Sequence, residues 1–318
     1  MKAAIVLQSG QAPVYGDFPE PTSAEGEHLI TVTAASLSHV TRSRASGTHY
    51  SSASNQFPFV AGVDGVGRLA SGRRVYFALP TVPFGSLAER TRVKVSHCLS
   101  VPDELDDVTA AALAIPGMSS WAALVETARF QAGETVMVNG ATGISGRLAV
   151  QIASYLGARK VIATGRNRAV LRSLLSLGAD LTIPLDQDGE ALEQAFLSAF
   201  HEGVDIVLDY LWGPSMERLL VAAAKAGKEG VPTRCIHIGG ISAATISLPG
   251  QILRASALQL MGSGIGSLPF DRLLKAIDSV LQAAARGKLQ IATTTVPLSK
   301  IADAWSADIS RSRPVIEI

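Results

Sequence analysis

Cysteine is nearly absent: Cys98 and Cys235 are the two in a chain of 318 residues, and they lie far apart. Two distant thiols form neither a disulfide framework nor a zinc knuckle, which points to a reducing compartment. An excess of one charge sign is missing as well. The formal net charge is +1 with no basic tract, so general nucleic-acid binding has no electrostatic basis. No apolar stretch approaches the roughly 20 residues that a bilayer-crossing helix needs. The opening run Met1–Leu7 turns polar at Gln8, too soon for the apolar segment of a secretory leader. Solenoid repeats and low-complexity segments do not occur. The expectation is a soluble, cytoplasmic, globular protein. Hydrophobic residues make up 47% and charged residues 17%, enough core for one large or two medium domains and too apolar for disorder.

Several catalytic signatures are missing too. Tyr15, Tyr50, Tyr76, Tyr155 and Tyr210 all lack a lysine four residues on, which argues against the short-chain dehydrogenase mechanism. H-E-x-x-H, G-x-S-x-G and Walker A motifs do not appear. The six histidines fall in no ligand-like cluster with cysteine or glutamate, so no metal site is expected.

What is present changes along the chain. Up to about residue 117 the pattern is short and strand-like, with HLITVTAASLS, RRVYFAL and RTRVKV rich in β-branched residues. GTHYSSASNQF, small and polar, reads as an exposed loop. From about residue 118 short apolar runs recur every 20 to 30 residues: TVMVN, KVIAT, LTIPL, DIVLD and RCIHI. Helical segments separate them. In RLAVQIASYLGA, Leu148, Ile152, Tyr155 and Leu156 share one face, and Gly157 supplies the stop. Strand and helix in alternation predict an α/β fold with a doubly wound parallel sheet. FDRLLKAIDSVLQAAARGKL then reads as a long helix, and ATTTVPLSKIADAWS with RPVIEI returns to strand and helix pieces.

The most informative stretch is VNGATGISGRL, which sets Gly140, Gly143 and Gly146 between a strand and a helix. In such a turn glycine lets the backbone bend sharply and approach a pyrophosphate, while the helix N-terminus favours the anion. Ala141-Thr142-Gly143-Ile144-Ser145-Gly146 gives A-x-G-x-x-G, with alanine at the usual first glycine. A strand before, an amphipathic helix after and a second strand beyond make this a dinucleotide-binding turn. An NAD site would place an acid near the end of that second strand to bond the ribose 2′-hydroxyl. The strand instead runs into Gly165, Arg166 and Asn167, and the guanidinium of Arg166 suits a 2′-phosphate. The expected cofactor is NADPH.

Taken end to end, the chain resembles the zinc-free quinone oxidoreductase branch of the medium-chain dehydrogenase/reductase superfamily. SLSHVTRSRASGTHY, FPFVAGVDGVGRL, SLAERTRVKVSHCLSVPDEL with AAALAIPGMSSWAAL, VMVNGATGISGRLAVQIASYLGARKVIATGRN and GKLQIATTTVPLSKIADAW carry the likeness. It implies a mainly β, GroES-like catalytic domain over residues 1–117, completed by 267–318. A Rossmann NADPH-binding domain is inserted over 118–266. The zinc alcohol dehydrogenase branch would place cysteine near Ser38 and Gly-His-Glu where Gly62-Val63-Asp64 stands. The expectation from the resemblance is therefore a zinc-independent, NADPH-dependent reductase of quinones, enones or related carbonyls, working as a homodimer on a small-molecule substrate.

The resemblance also implies site residues. Ser119 aligns with a hydroxyl near the nicotinamide and phosphates. Gly239 and Gly240 pass close to the nicotinamide ribose, and Ser263 and Gly264 lie near the carboxamide. Ser38 stands where many relatives carry asparagine, so the contact near the ribose differs. The turn over residues 68–73 is shorter than the family's. Without a metal, carbonyl polarisation falls to hydrogen-bond donors. Tyr50, in the loop that resembles the substrate-facing one, is the candidate donor, and His39 a candidate donor or proton source. Asp64, between glycines, is expected to bond backbone amides. Two other functions fit the same residues: a non-catalytic NADPH-binding or regulatory protein, and a zinc-free NADP-dependent alcohol dehydrogenase.

Overall fold

The computed structural model describes residues 1–49, 52 and 56–318. It divides into two compact units, Met1–Ile115 with Ile277–Ile318, and Pro116–Ala276.

The opening segment forms β1 (Lys2–Val6), β2 (Val14–Asp17), β3 (Glu27–Ser36), the short helix α1 (His39–Ala45), β4 (Phe59–Val60), β5 (Asp64–Leu69), β6 (Arg74–Ala78), β7 (Arg90–Lys94) and β8 (Cys98–Ser100). β3 alternates over its first half, with Ile30 and Val32 buried while Leu29 and Thr31 face out, and Ala34, Ala35 and Ser36 are then all buried past an irregularity in its pairing with β5. That pattern fixes its register, since a slip of one residue would turn the apolar set to solvent. β3 accordingly takes antiparallel neighbours in β5 and β7.

The helix α2 (Asp107–Ala122) continues through one wider turn to Thr127. The run Asp107–Thr127 is 21 residues long and apolar, which corrects the expectation that no stretch reaches the length of a membrane span. Its composition serves an interior instead. Ala110, Ala111, Ala112, Leu113 and Ala114 are fully buried.

The second unit alternates strand and helix: β9 (Thr135–Asn139), α3 (Ile144–Tyr155), β10 (Lys160–Gly165), α4 (Arg168–Leu174), β11 (Leu181–Pro184), α5 (Gly189–Glu202), β12 (Ile206–Asp209), α6 (Gly213–Ala226), β13 (Thr233–His237), α7 (Gly250–Arg254) and β14 (Leu258–Gly262). Every residue of β9 and β12 is buried, so both read as continuous apolar runs rather than alternating ones. The six strands lie parallel in the order β11-β10-β9-β12-β13-β14, the doubly wound Rossmann order. Phe196 and Phe200 of α5 pack with Met216, Leu219 and Leu220 of α6 against Met137, Ile162 and Val207 on one face of this sheet.

The chain closes with α8 (Phe270–Ala285), β15 (Thr293–Pro297), α9 (Ile301–Ser306) and β16 (Arg313–Glu317). β16 joins β3, so the order β15-β16-β3-β5-β6-β8, with β7 beside β3, makes a mainly antiparallel sheet with the opening segment. Ile301 and Ile316 complete the core of Ile30, Val32, Leu37 and Phe77. This mainly β unit has the GroES-like architecture expected from the sequence.

Candidate nucleotide site

β9 delivers the chain into the glycine turn, and each glycine there has a different physical cause. Gly140 adopts φ +93°, a left-handed conformation, and a Cβ there would lie 2.8 Å from the Leu211 side chain. At Gly146 a Cβ would stand 2.3 Å from the Gly140 carbonyl oxygen and 2.6 Å from the Ala141 Cα, so glycine lets α3 press onto the turn. Gly143 is different. Its φ is −78°, open to any residue, and a Cβ would find its nearest atom at 4.0 Å. Neither conformation nor packing within the protein demands glycine at 143, which leaves room for a ligand.

Gly143 is also the N-cap of α3, and among the described residues no side chain caps it. The first amides of a helix have no partner inside it. Those of Ile144, Ser145 and Gly146 therefore form an anion-accepting mouth, reinforced by the helix dipole. The turn is pinned to the neighbouring strand by the Ala141 amide, which donates to the Thr164 carbonyl at 2.8 Å. Thr142 packs so closely on Gly165 that a Cβ there would be 2.5 Å from its methyl carbon.

Beyond β10 the three polar residues separate. Asn167 caps α4, accepting from the Val170 amide at 3.1 Å. Arg168 pairs with Asp186 at 3.1 Å. Arg166 is exposed, and among the described residues it has no recorded ion pair or hydrogen bond. It is the cation left available beside the turn.

The remaining positions of the second unit lie around the same sheet end. Ser119 donates to the Pro116 carbonyl at 2.8 Å. Its neighbour Ser120 is buried and shares a 2.7 Å hydrogen bond with the Tyr210 hydroxyl. Burial pushes that hydroxyl up to about 12, against the hydrogen bonds from Ser120 and Ser119. Gly239 passes the Tyr210 carbonyl, and a Cβ at Gly240 would sit 2.8 Å from the Ala243 oxygen. Ser263 is buried and its amide donates to the His237 carbonyl at 2.9 Å. The Gly264 amide is taken by the Ser267 hydroxyl at 2.8 Å.

In the first unit Ser38 caps α1, accepting from the Thr41 amide at 3.1 Å, so its hydroxyl is engaged locally. His39 begins that helix. Partial desolvation of this exposed side chain, then the charges of Arg313 and Arg42, pull its pKa below the usual imidazole range. Tyr50 lies outside the described residues. Asp64 does not bond backbone amides as expected, because the amides of β5 are committed to ladders with β3 and β6. Its Oδ2 instead accepts from the Tyr76 hydroxyl at 3.1 Å, and its Oδ1 is buried without a partner. Burial raises its pKa to about 7, opposed by the Tyr76 hydrogen bond and the Arg313 charge. Among the described residues no three His, Cys, Asp or Glu side chains gather as a metal group. Cys235 is buried and Cys98 half-buried: burial pushes Cys98 up to about 11 and, with the nearby Asp209 charge, Cys235 to about 12.

One set of polar residues escapes a reading of local motifs. The register of the parallel sheet sets Thr164, Asn139, Asp209 and His237 side by side at the carboxyl ends of β10, β9, β12 and β13. The Thr164 hydroxyl donates to Asn139 Oδ1 at 2.8 Å, and Asn139 Nδ2 donates to Asp209 Oδ1 at 2.7 Å. Asp209 Oδ2 faces His237 Nδ1 at 3.6 Å. The signal was a polar residue closing each apolar run, where a parallel sheet binds its ligands.

Comparison with known proteins agrees with this geometry. A family model described as "Zinc-binding dehydrogenase" matches residues 145–282. The "Probable NADPH-dependent quinone reductase tdiC" of Emericella nidulans is 29% identical over 356 residues, covering 99% of each chain. The quinone oxidoreductase of Rattus norvegicus is 30% identical over 241 residues, covering 72% of this chain and 71% of that one. Among solved structures, the quinone oxidoreductase of Thermus thermophilus, described with its NADPH complex, aligns over 100% of both chains with a TM-score of 0.83 and 26% identity.

Proposed function

Because this chain belongs to the quinone oxidoreductase branch of the medium-chain dehydrogenase/reductase superfamily, we propose that it passes hydride from NADPH to quinones, enones or related carbonyls without zinc. The observation that carries the reading is the open Gly143 mouth with Arg166, unpaired among the described residues, close by. The residues fit the dinucleotide at both of its anionic groups. The amides of Ile144, Ser145 and Gly146 hold the pyrophosphate, and Arg166 takes the 2′-phosphate as a charge-assisted fork. When bound, NADPH supplies the hydride, and the protein's part is alignment and exclusion of water. The relatives named for NADPH-dependent quinone reduction support the same coenzyme and acceptor class.

Zinc independence is supported by Ser38 and by Val63-Asp64 at positions where the zinc branch needs thiolate and His-Glu ligands. Carbonyl polarisation then rests on hydrogen-bond donors. The enzyme is cytoplasmic and a homodimer. Among the described residues β14 pairs with β13 alone, so its outer edge offers backbone groups to a second copy. NADPH oxidation followed spectroscopically against a quinone and enone panel tests the proposal. Nucleotide binding with no turnover of any acceptor would sink it.

The coenzyme preference has its own test. Arg166→Ala is expected to weaken NADPH by roughly 10- to 100-fold, the range of a charged hydrogen bond pair, and to leave NADH affinity unchanged. Arg168→Ala, which breaks only the Asp186 pair, should change neither. Calorimetry with both nucleotides reads the difference.

A further inference from the structure

The polar row at the sheet end finishes in His237, which the nucleotide contacts proposed above leave unused. Behind it Asp209 is fully buried. Its Oδ1 accepts from Asn139 Nδ2 at 2.7 Å and from the Leu211 amide at 3.1 Å, while Oδ2 takes the Trp212 amide at 3.0 Å. One lone-pair direction of Oδ2 is left facing His237 Nδ1 at 3.6 Å. That nitrogen is buried without a hydrogen-bond partner, although the side chain as a whole is 39% exposed. The exposure therefore falls on the rest of the ring, the part that includes Nε2. A small ring rotation would close the Nδ1–carboxylate bond and fix the tautomer.

A second observation points to the same group. Trp212 holds φ +59° and ψ −165°, a strained conformation for a residue other than glycine. Its amide is bonded to the same Asp209 carboxylate, and its indole leans on the His237 ring with centroids 4.4 Å apart. Backbone strain of this kind survives where a site needs its side chain held. The strand order reverses between β9 and β12, so the ligand crevice lies outside their carboxyl ends. The pyrophosphate mouth opens after β9. His237 closes β13, on the other side of that reversal, over which the far half of a dinucleotide extends.

We propose that His237, oriented by Asp209, is the proton donor for the reduced acceptor. This rests on the reductase reading above. Hydride arrival leaves the acceptor two electrons richer and negative, as a hydroquinone anion or an enolate. The Nε2–H bond of the imidazolium breaks, its electron pair stays on the ring, and a new bond to hydrogen forms on the acceptor. Solvent then returns a proton to Nε2. Asp209 serves as a positioning residue.

The test uses the full-length protein and His237→Gln, with His237→Asn as the second variant should the first melt poorly. An enolate is a stronger base than a hydroquinone anion, so loss of the donor falls harder on enones. The expected result is a drop in kcat of about 100-fold with enones, near the lower end for acid catalysis, and a clearly smaller drop with quinones. NADPH affinity is unchanged, and added imidazole restores part of the rate. A readout independent of turnover comes from carbethoxylation of His237 by diethyl pyrocarbonate, mapped by peptide mass, which NADPH should block. Equal fractional losses with both acceptor classes, or labelling that NADPH does not affect, overturns the assignment. If the unaltered protein reduces neither class, the reductase reading itself fails and this assignment goes with it.

Discussion

Gly143→Ala is expected to lower NADPH affinity by at least about tenfold, some 1.4 kcal/mol, while the thermal midpoint stays nearly unchanged. The two halves of that result have separate causes. A methyl group at 143 meets nothing of the protein within 4.0 Å and needs no unusual φ, so folding does not feel it. It does fill the space through which a pyrophosphate approaches the amides of α3. Gly146→Ala is the opposite case. Its methyl group would sit 2.3 Å from one backbone atom and 2.6 Å from another, and no side chain can swing aside to relieve it. Only a shift of α3 off the turn will do, at the roughly 1–3 kcal/mol or more of an overpacked core. Urea unfolding should show a lowered midpoint for Gly146→Ala and not for Gly143→Ala. A folding defect at 143 equal to that at 146 would remove the argument that the space beside it serves a ligand.

Asp64→Asn is expected to remove a pH dependence from stability. The carboxyl has a pKa of about 7 in the fold against an ordinary 3.8, chiefly because burial penalises the charged form. A raised acid binds its proton more tightly when folded. Its contribution is therefore complete below about pH 4 and is lost as pH climbs through 7. A shift of about three units corresponds to roughly 4 kcal/mol. Urea unfolding from pH 4 to pH 8 should show the wild type losing stability on this scale, while the variant holds a flatter course and is the more stable of the two at pH 8. Parallel curves for both proteins would mean that Arg313 and the Tyr76 hydroxyl keep Asp64 ionised throughout.

The sheet of the second unit was legible because strands buried on both faces carry unbroken apolar runs, as Val136-Met137-Val138 and Ile206-Val207-Leu208 do. β2 and β4 were not. Val14 and Tyr15 of β2 are exposed, and β4 has two residues, so neither carries a pattern that sequence can register. The glycine turn was legible for a related reason: its three glycines act within seven residues and need no distant partner to be recognised. The row from Thr164 to His237 depends on partners up to 70 residues apart along the chain, aligned by parallel register. No local spacing announces it. Asp64 was misread because its flanking glycines suggested free amides, and only the ladder on each side of β5 reveals that those amides are spent.

The raised pKa values of the two thiols have a consequence for an oxidoreductase of this kind. Quinones and enones are Michael acceptors, and thiolates are the nucleophiles that they arylate or alkylate most readily. With Cys98 near 11 and Cys235 near 12, about one thiol in ten thousand or fewer is ionised at pH 7, far below the few per cent of an ordinary cysteine. The chain thus offers acceptors of the proposed class little thiolate to attack.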